Sequence, residues 1–472
     1  MIQRGIDASE KWVADQTKKK IRPNLGCPCG DRLTLGESCR MSVHNDLIYG
    51  LDQFPPWRRS LIYGAQWVAI FLPTLMILSA ISSEYLGLQQ AERLLFFQRI
   101  LLTTGGVMIL QTLWGHRYPL LDGPSSALLL NILILAPGGM PAIQGGMVAG
   151  GIFVLLLGGF RLMRYVEPLF TDNVISVTLI LIAITLLPFL APLIIGQNSS
   201  YPYGDSTIFG ISVFTMVFIA LLSQWLSGFS RTVSLLLGIL AGTFLIGILG
   251  RLEAVAVLEG PWLRFPQPLF PDLPSFSPSA VIPFLVAYVA VVINGVGSMY
   301  SIGEIVGKEG MGGRVARGIG FTGLGGLLAG AFGAIGTVSF GLSPGVVLVT
   351  RVGSRFPITL CGAFLCILAF FPKALNLLMS IPSSVVGAAL ITAMASQVGA
   401  GISVLTRSGR PLEGRDYMVI GLPILVGGIV SILPGAFFQA FPSIVQAFLK
   451  NGLVVGIVLV LLLEHLLPRR RR

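Results

Sequence analysis

Few side chains in the apolar part of this sequence could bind a polar solute or carry a proton. Asp122 lies in PLLDGPSS (residues 119–126), just before a Gly-Pro pair, and Ser343 lies in a second broken stretch, TVSFGLSPG (337–345). Hydroxyl and amide groups can hydrogen-bond a solute, and an ionisable group inside a membrane is a functional candidate. No nucleotide-binding loop or catalytic constellation accompanies them. The residues therefore predict solute binding and not an enzyme.

Both stretches are too irregular to be ordinary membrane helices. A spanning helix needs roughly 20 mostly apolar residues, yet the apolar run after Pro344 is only Val346–Val349. Irregular backbone at membrane depth is tolerated where it is buried in protein or lines a wet cavity. Two short, Gly/Pro-broken segments in corresponding halves indicate the substrate site of a transporter.

The composition is that of a polytopic membrane protein. The chain has 472 residues, of which 54% are hydrophobic and 11% charged, whereas soluble domains carry about 25% charged residues. The net charge of +11 does not indicate a nucleic-acid partner, because the positive residues fall in short loops and tails. The lipid bilayer is the expected surrounding.

Apolar segments divide the chain into fourteen expected transmembrane spans, all α-helical and arranged as a 7+7 inverted repeat. Residues 1–56 form a basic tail, 57–250 the first repeat, 251–278 a loop and 279–472 the second repeat. Spans 3 and 10, the third of each half, are the broken ones. An odd number of spans per half inverts the second half relative to the first. Span 12 is expected at Leu375–Ala400.

The distribution of basic residues predicts the orientation. Most of the 32 Lys and Arg residues fall in segments that would be cytoplasmic if both termini are; the six exceptions are Arg93, Arg99, Arg251, Arg264, Lys373 and Lys450. Cytoplasmic loops carry the excess of Lys and Arg. We therefore expect a multi-pass protein of the cell inner (plasma) membrane, with both termini cytoplasmic and the 251–278 loop outside.

The N-terminal tail carries Cys27, Cys29 and Cys39. Their spacing matches no standard zinc pattern, so we predict no metal site and no cofactor, and the role of these cysteines stays open. The first 50 residues are polar and basic, so no cleavable signal peptide is expected.

Several motifs resemble the nucleobase–ascorbate transporter family, which includes the uracil and xanthine permeases. GAQW (64–67) looks like that family's Gln-His motif, and GHRYPLLDGPSS (115–126) is similar to its lead into the third span. GRVARG (313–318) and VVGAA (385–389) are also typical, and the family signature aligns on LSPGVVLVT (342–350). The resemblance extends from about Tyr49 to the C-terminus.

This resemblance implies a mobile core of spans 1–4 and 8–11, a gate of spans 5–7 and 12–14, and commonly a homodimer. A small purine, pyrimidine or related solute would bind between spans 3 and 10, usually with a symported proton. By position, the binding residues would be Gln66, Ser125, Ser126, Asn294, Ser298, Phe340, Gly341, Leu342 and Ser343.

The sequence departs from the family at that site. Asn294 stands where Glu is usual, Leu342 where Glu or Gln is usual, and Ser343 where the signature has Asn. A Leu side chain accepts no hydrogen bond and an Asn cannot titrate, so the binding site is altered. If proton coupling survives, Asp122 is the candidate group; alternatively, Asp122 caps the half-helix that begins near Ser125.

Three functions stay open at this point. The first is a divergent nucleobase-type secondary transporter. The second is an anion transporter or channel on the same 7+7 plan, since half-helix N-termini favour negative charge. The third is a non-transporting sensor or scaffold.

Overall fold

The structure is a computed structural model. It describes residues 47–160, 167–197, 201–226, 234–251, 261–266, 273–307, 309–406, 411–442, 445–446 and 449–467. Cys27, Cys29, Cys39 and most of the basic tail lie outside these residues, as does part of the 251–278 loop.

The described residues are mostly helical. In the first half the elements are α1 (Trp57–Tyr85), α2 (Gln90–Leu113), β1 (Asp122–Pro124), α3 (Ser126–Leu135), α4 (Met140–Gly159), α5 (Asp172–Ile194), α6 (Ser206–Trp225) and α7 (Ser234–Ile248). In the second half they are α8 (Pro278–Val306), α9 (Met311–Phe332), β2 (Thr337–Ser339), α10 (Ser343–Thr350), α11 (Phe356–Leu368), α12 (Pro372–Met379), α13 (Ser383–Thr406), α14 (Gly414–Ile432) and α15 (Gly452–Leu466).

Nine of the helices in the described part of the chain are long and apolar enough to cross a membrane. These are α1, α2, α4, α5, α6, α8, α9, α13 and α14. The pair α11 and α12, bent by 96°, would make a tenth span, and α3, α7 and α15 are shorter apolar helices. The chain is therefore a multi-pass membrane protein.

The expected start of span 12 at Leu375 is wrong. Residues Pro372–Met379 form the separate short helix α12, and α13 begins only at Ser383. Pro382 lies between them, and a proline disfavours helical geometry in the residue before it. The apolar composition runs through this break and so conceals it.

Glycines allow close approach of α4 and α9. A Cβ atom on Gly323 would lie 2.2 Å from the backbone nitrogen of Leu155, and one on Gly158 would lie 2.3 Å from that of Gly320. Membrane helices use small residues at such contacts because lipid supplies no hydrophobic drive for association. Since α9 leads directly into β2, this contact holds the start of the second broken segment.

Candidate solute-binding site

The two broken segments meet in a short antiparallel pair. Asp122 lies opposite Ser339, and Pro124 lies opposite Thr337. The pairing extends beyond the strands, because the Phe340 N–H donates to the Leu121 carbonyl at 2.8 Å. Backbone N–H and C=O groups that water does not reach need hydrogen-bond partners within the protein. The two broken segments provide these partners for each other. The starts of α3 and α10 are thereby held next to each other.

The Asp122 carboxylate is buried at this junction, with 1% of its surface exposed. Its Oδ2 lies 3.0 Å from Nε2 of His116, and its Oδ1 accepts a hydrogen bond from the Ser339 hydroxyl at 2.6 Å. The N-cap residue of α3 is Ser125, and no side chain caps the helix. The interpretation of Asp122 as a helix cap is therefore wrong.

Three of the candidate serines are buried beside Asp122. The Ser343 hydroxyl oxygen accepts a hydrogen bond from the Leu121 N–H at 3.0 Å. The Ser298 hydroxyl donates towards the carbonyls of Ser339 and Asn294, at 3.0 and 2.9 Å. The Ser125 N–H donates to the Gly336 carbonyl at 2.9 Å. The hydroxyls of Ser343 and Ser298 thus join the broken segments to each other and to α8.

The remaining candidates keep accessible surface. They are the half-buried Gln66, Ser126, Asn294 and Phe340 and the exposed Gly341 and Leu342. The Leu342 side chain is 40% exposed. The Phe340 ring meets Phe71 of α1 edge to face, with 5.3 Å between ring centroids. Aromatic and amide groups at this position could stack on and hydrogen-bond a planar ring.

A comparison with protein families decides the classification. The model of the xanthine and uracil permeases, described as Permease family, matches residues 58–436. The chain belongs to this permease family. Its members are transporters, and this permease is a transporter too.

Individual relatives agree. The nucleobase transporter PlUacP of Paenibacillus larvae is 27% identical over 421 residues, which cover 87% of this chain and 95% of the relative. The uric acid permease PucJ of Bacillus subtilis is 28% identical over 75% of this chain and 81% of its own. The uric acid transporter UacT of Escherichia coli is 25% identical over 84% of this chain and 83% of its own.

Solved structures show the same fold in anion transporters. The transmembrane domain of the cyanobacterial bicarbonate transporter BicA superposes with a TM-score of 0.59 at 15% identity, covering 80% of this chain and 97% of BicA. The murine anion transporter Slc26a9 in its inward-facing state superposes with a TM-score of 0.61 at 11% identity, covering 98% of this chain and 76% of Slc26a9. These similarities concern the fold alone.

One surface cavity of this permease lies away from the broken segments. It has a volume of about 530 Å³ and lies between α4 and α9, lined by Gly158, Arg317 and Phe321 among others. None of the candidate binding residues lines it. Within the described ranges no group of three His, Cys, Asp or Glu side chains could hold a metal ion.

His116 and Ser339 are functional candidates that sequence reasoning missed. His116 is fully buried, only six residues before Asp122. A histidine so near an intramembrane aspartate is a usable signal in hindsight. Ser339 is 217 residues from Asp122, and only the strand register brings the two together. Phe71, the ring partner of Phe340, carries no comparable signal because it resembles any other apolar residue of α1.

Proposed function

We propose that this permease is a secondary active transporter of nucleobase-like solutes, with a binding site altered from the family pattern. The observation that carries the proposal is the β1–β2 pair, which places the starts of α3 and α10 beside the half-buried Phe340 and Asn294. The relatives named for uric acid and nucleobases support this substrate class.

The alteration concerns acceptors for the N–H groups of a base. In the family pattern, carboxylates accept these hydrogen bonds, but here the corresponding residues are Asn294 and Leu342. A buried N–H left without an acceptor costs about 1–3 kcal/mol. Among the accessible candidate residues, acceptors are the amide oxygens of Asn294 and Gln66, the Ser126 hydroxyl and the backbone near Gly341. A base with fewer N–H donors than xanthine suits them best.

The order of the helices supports a 7+7 inverted repeat. Among the described residues, seven apolar helices, α1 to α7, precede the loop, and β1 with α3 is third among them. In the second half, β2 with α10 is third of the described segments. We assign α1–α4 and α8–α11 to the core and α5–α7 and α13–α15 to the gate, in a plasma-membrane homodimer. Both termini would be cytoplasmic. Reporter fusions after Arg472 and within residues 273–278 test the orientation, and a cytoplasmic signal from the loop contradicts it.

Proton coupling through Asp122 completes the proposal. Asp122 is the buried carboxylate nearest the candidate site, and it is hydrogen-bonded across to β2. In proteoliposomes with an imposed pH gradient, Asp122→Asn should lose gradient-driven accumulation while substrate exchange persists. Full accumulation in the variant would exclude Asp122 as the coupling group.

An anion transporter is the second candidate. The fold is shared with BicA and Slc26a9, and none of the accessible candidate residues is a carboxylate that would repel an anion. Substrate charge separates the two functions when uracil, which is neutral near neutral pH, is compared with bicarbonate and chloride.

The deciding experiment measures uptake by proteoliposomes containing the purified full chain. Radiolabelled uracil, xanthine and uric acid are offered beside bicarbonate and chloride. We expect a base to be taken up and the anions not. Phe340→Leu should weaken base binding by roughly two- to tenfold through lost stacking. Phe218→Leu on α6 is the matched control. Uptake of an anion alone would favour the second candidate.

A further inference from the structure

His116 is a fully buried polar residue in the turn between α2 and β1. The Tyr118 N–H donates to its Nδ1 at 2.9 Å. A ring nitrogen that accepts a hydrogen bond carries no proton, so the proton of the neutral imidazole is on Nε2. Nε2 lies 3.0 Å from Oδ2 of Asp122. His116 therefore donates to the carboxylate.

The Asp122 carboxylate also accepts a second hydrogen bond on its other oxygen. The Ser339 hydroxyl lies 2.6 Å from Oδ1, which is an ordinary distance for an O–H donor to an oxygen acceptor. With one donor on each oxygen, the arrangement fits an ionised Asp122. If Asp122 were protonated, one of its two oxygens would become a donor and would no longer accept its present hydrogen bond.

Arginine side chains and apolar surface surround the His116–Asp122 pair. Arg314 of α9 donates to the carbonyls of His116 and Arg117, at 3.4 and 2.9 Å, and its guanidinium lies 5.0 Å from the Tyr118 ring centroid. Arg117 itself lies 3.9 Å from the carboxylate of Asp52. Phe71 of α1 packs against Gly123, and Gly318 of α9 packs against His116. The His116 N–H donates to the side-chain oxygen of Gln111 on α2.

Ser339 connects this pair to the candidate binding site. Its hydroxyl donates to Asp122 and its carbonyl accepts from Ser298 of α8 at 3.0 Å. The next residue, Phe340, is bonded through its N–H to the Leu121 carbonyl. Ser339 is thus bonded to Asp122 on one side and to Ser298 on the other, and it directly precedes Phe340.

Building on the proposed function, we propose that His116 is a positioning residue that holds Asp122 ionised, and that Ser339 transmits protonation of Asp122 to the Phe340–Ser343 loop. A hydronium ion from the water on one side gives its proton to a carboxylate oxygen and leaves as water. The new carboxyl O–H replaces one accepted hydrogen bond, and the Ser339 hydroxyl proton turns away. Release of the proton to water on the other side restores the bond.

The first test is an infrared titration of the purified full chain, which needs no transport. The carboxyl C=O band that Asp122→Asn removes identifies the group. In His116→Leu the carboxylate loses one of its two hydrogen-bond donors, so the midpoint of that band should move to higher pH than in wild type. His116→Gln, whose amide N–H can replace Nε2–H, should return the midpoint towards wild type. His465→Leu, in α15, should leave it unchanged.

An unmoved midpoint in folded His116→Leu overturns the positioning role. If that variant does not fold, Ser339→Ala takes its place, because it removes the donor on the other oxygen and should move the midpoint in the same direction; no shift there overturns the proposal equally. The second readout is the alkaline limb of the pH profile of base accumulation, which should move with the infrared midpoint.

The two proposals fail separately. If wild-type protein takes up no base while the infrared midpoint shifts as expected, the positioning of Asp122 stands and the transport assignment falls. If base uptake is present and its alkaline limb stays in place in His116→Leu, the positioning role falls and the transport assignment stands.

Discussion

The hydroxyl of Ser339 lies 2.6 Å from a carboxylate oxygen of Asp122, across a strand pair that joins positions 217 residues apart. This contact couples the only two strands described in the structure. The two half-helices that follow them, α3 and α10, have no side-chain cap at their N-termini. Their relative position therefore depends on the strand pair and on the groups packed against it.

The first prediction concerns the packing of β1 on α1. A Cβ atom on Gly123 would lie 2.1 Å from Cζ of the fully buried Phe71. Gly123→Ala should destabilise the protein by about 1–3 kcal/mol through overpacking, seen as a lower melting temperature in detergent. Adding Phe71→Leu should recover part of the loss.

The control for that pair is Gly106→Ala on α2, where an added Cβ meets nothing within 4 Å. It should leave the melting temperature unchanged or raise it, because Ala favours helix over Gly. A Gly123→Ala protein as stable as the Gly106→Ala protein would contradict the packing of β1 against Phe71.

The sequence predicts some of these features and conceals others. Gly and Pro spacing indicates interrupted segments at Asp122 and Gly345. The structure has β1 at Asp122–Pro124, but β2 lies at Thr337–Ser339, before Gly345, and Gly345 itself is part of α10. The His116–Asp122 contact was not predictable, because it needs a turn in which Arg117 takes a positive φ of 57°. A non-glycine residue with a positive φ is uncommon, and the sequence gives no signal that Arg117 adopts one.

The serines show a second limit of sequence reasoning. Position in the family motif indicates that Ser343 belongs to the site, but not which way its hydroxyl faces. In the structure the hydroxyl is fully buried and bonded to Leu121. Whether the Ser343 hydroxyl bonds the backbone or a solute depends on the strand register, and that register is fixed by contacts between residues far apart in the chain.

The second prediction tests that buried hydroxyl. Ser343→Ala removes the acceptor of the Leu121 N–H and leaves a buried donor without a partner, which costs about 1–3 kcal/mol. Ser301→Ala on α8 is the matched control, since its hydroxyl only bonds the Gly297 carbonyl one turn back. Thermal unfolding should show a larger loss for Ser343→Ala. Equal melting temperatures would mean that Leu121 finds another acceptor.

The third prediction concerns pH and the loop before α6. Burial opposes ionisation of Asp205, but the amides of Thr207 and Ile208 and the guanidinium of Arg251 outweigh it and hold the pKa of Asp205 below its ordinary value of 3.8. A carboxyl with a lowered folded-state pKa stabilises the protein above its unfolded pKa, and this stability is lost as pH falls through the folded value.

Asp205→Asn should therefore lower the melting temperature near pH 7, and the difference from wild type should shrink as the pH is taken below about 4. The exposed Glu309→Gln serves as control and should show no such convergence. A difference between Asp205→Asn and wild type that stays constant down to about pH 3 would contradict the assignment.

The last prediction restores a carboxylate to the candidate site. Asn294 is half-buried on α8, and the family pattern has Glu at this position. Asn294→Glu gives the N–H groups of a base an ionised acceptor, and such a hydrogen bond contributes about 1.5–3 kcal/mol. Binding of xanthine should tighten by roughly ten- to a hundredfold, measured by thermal shift or by displacement of a labelled base. Ser301→Glu, two turns along the same helix, is the matched control and should not tighten binding. If Asn294→Glu leaves base binding unchanged but abolishes uptake of bicarbonate or chloride, the residue faces an anion path and the second candidate function is favoured, because a new negative charge repels an anion from the route it takes.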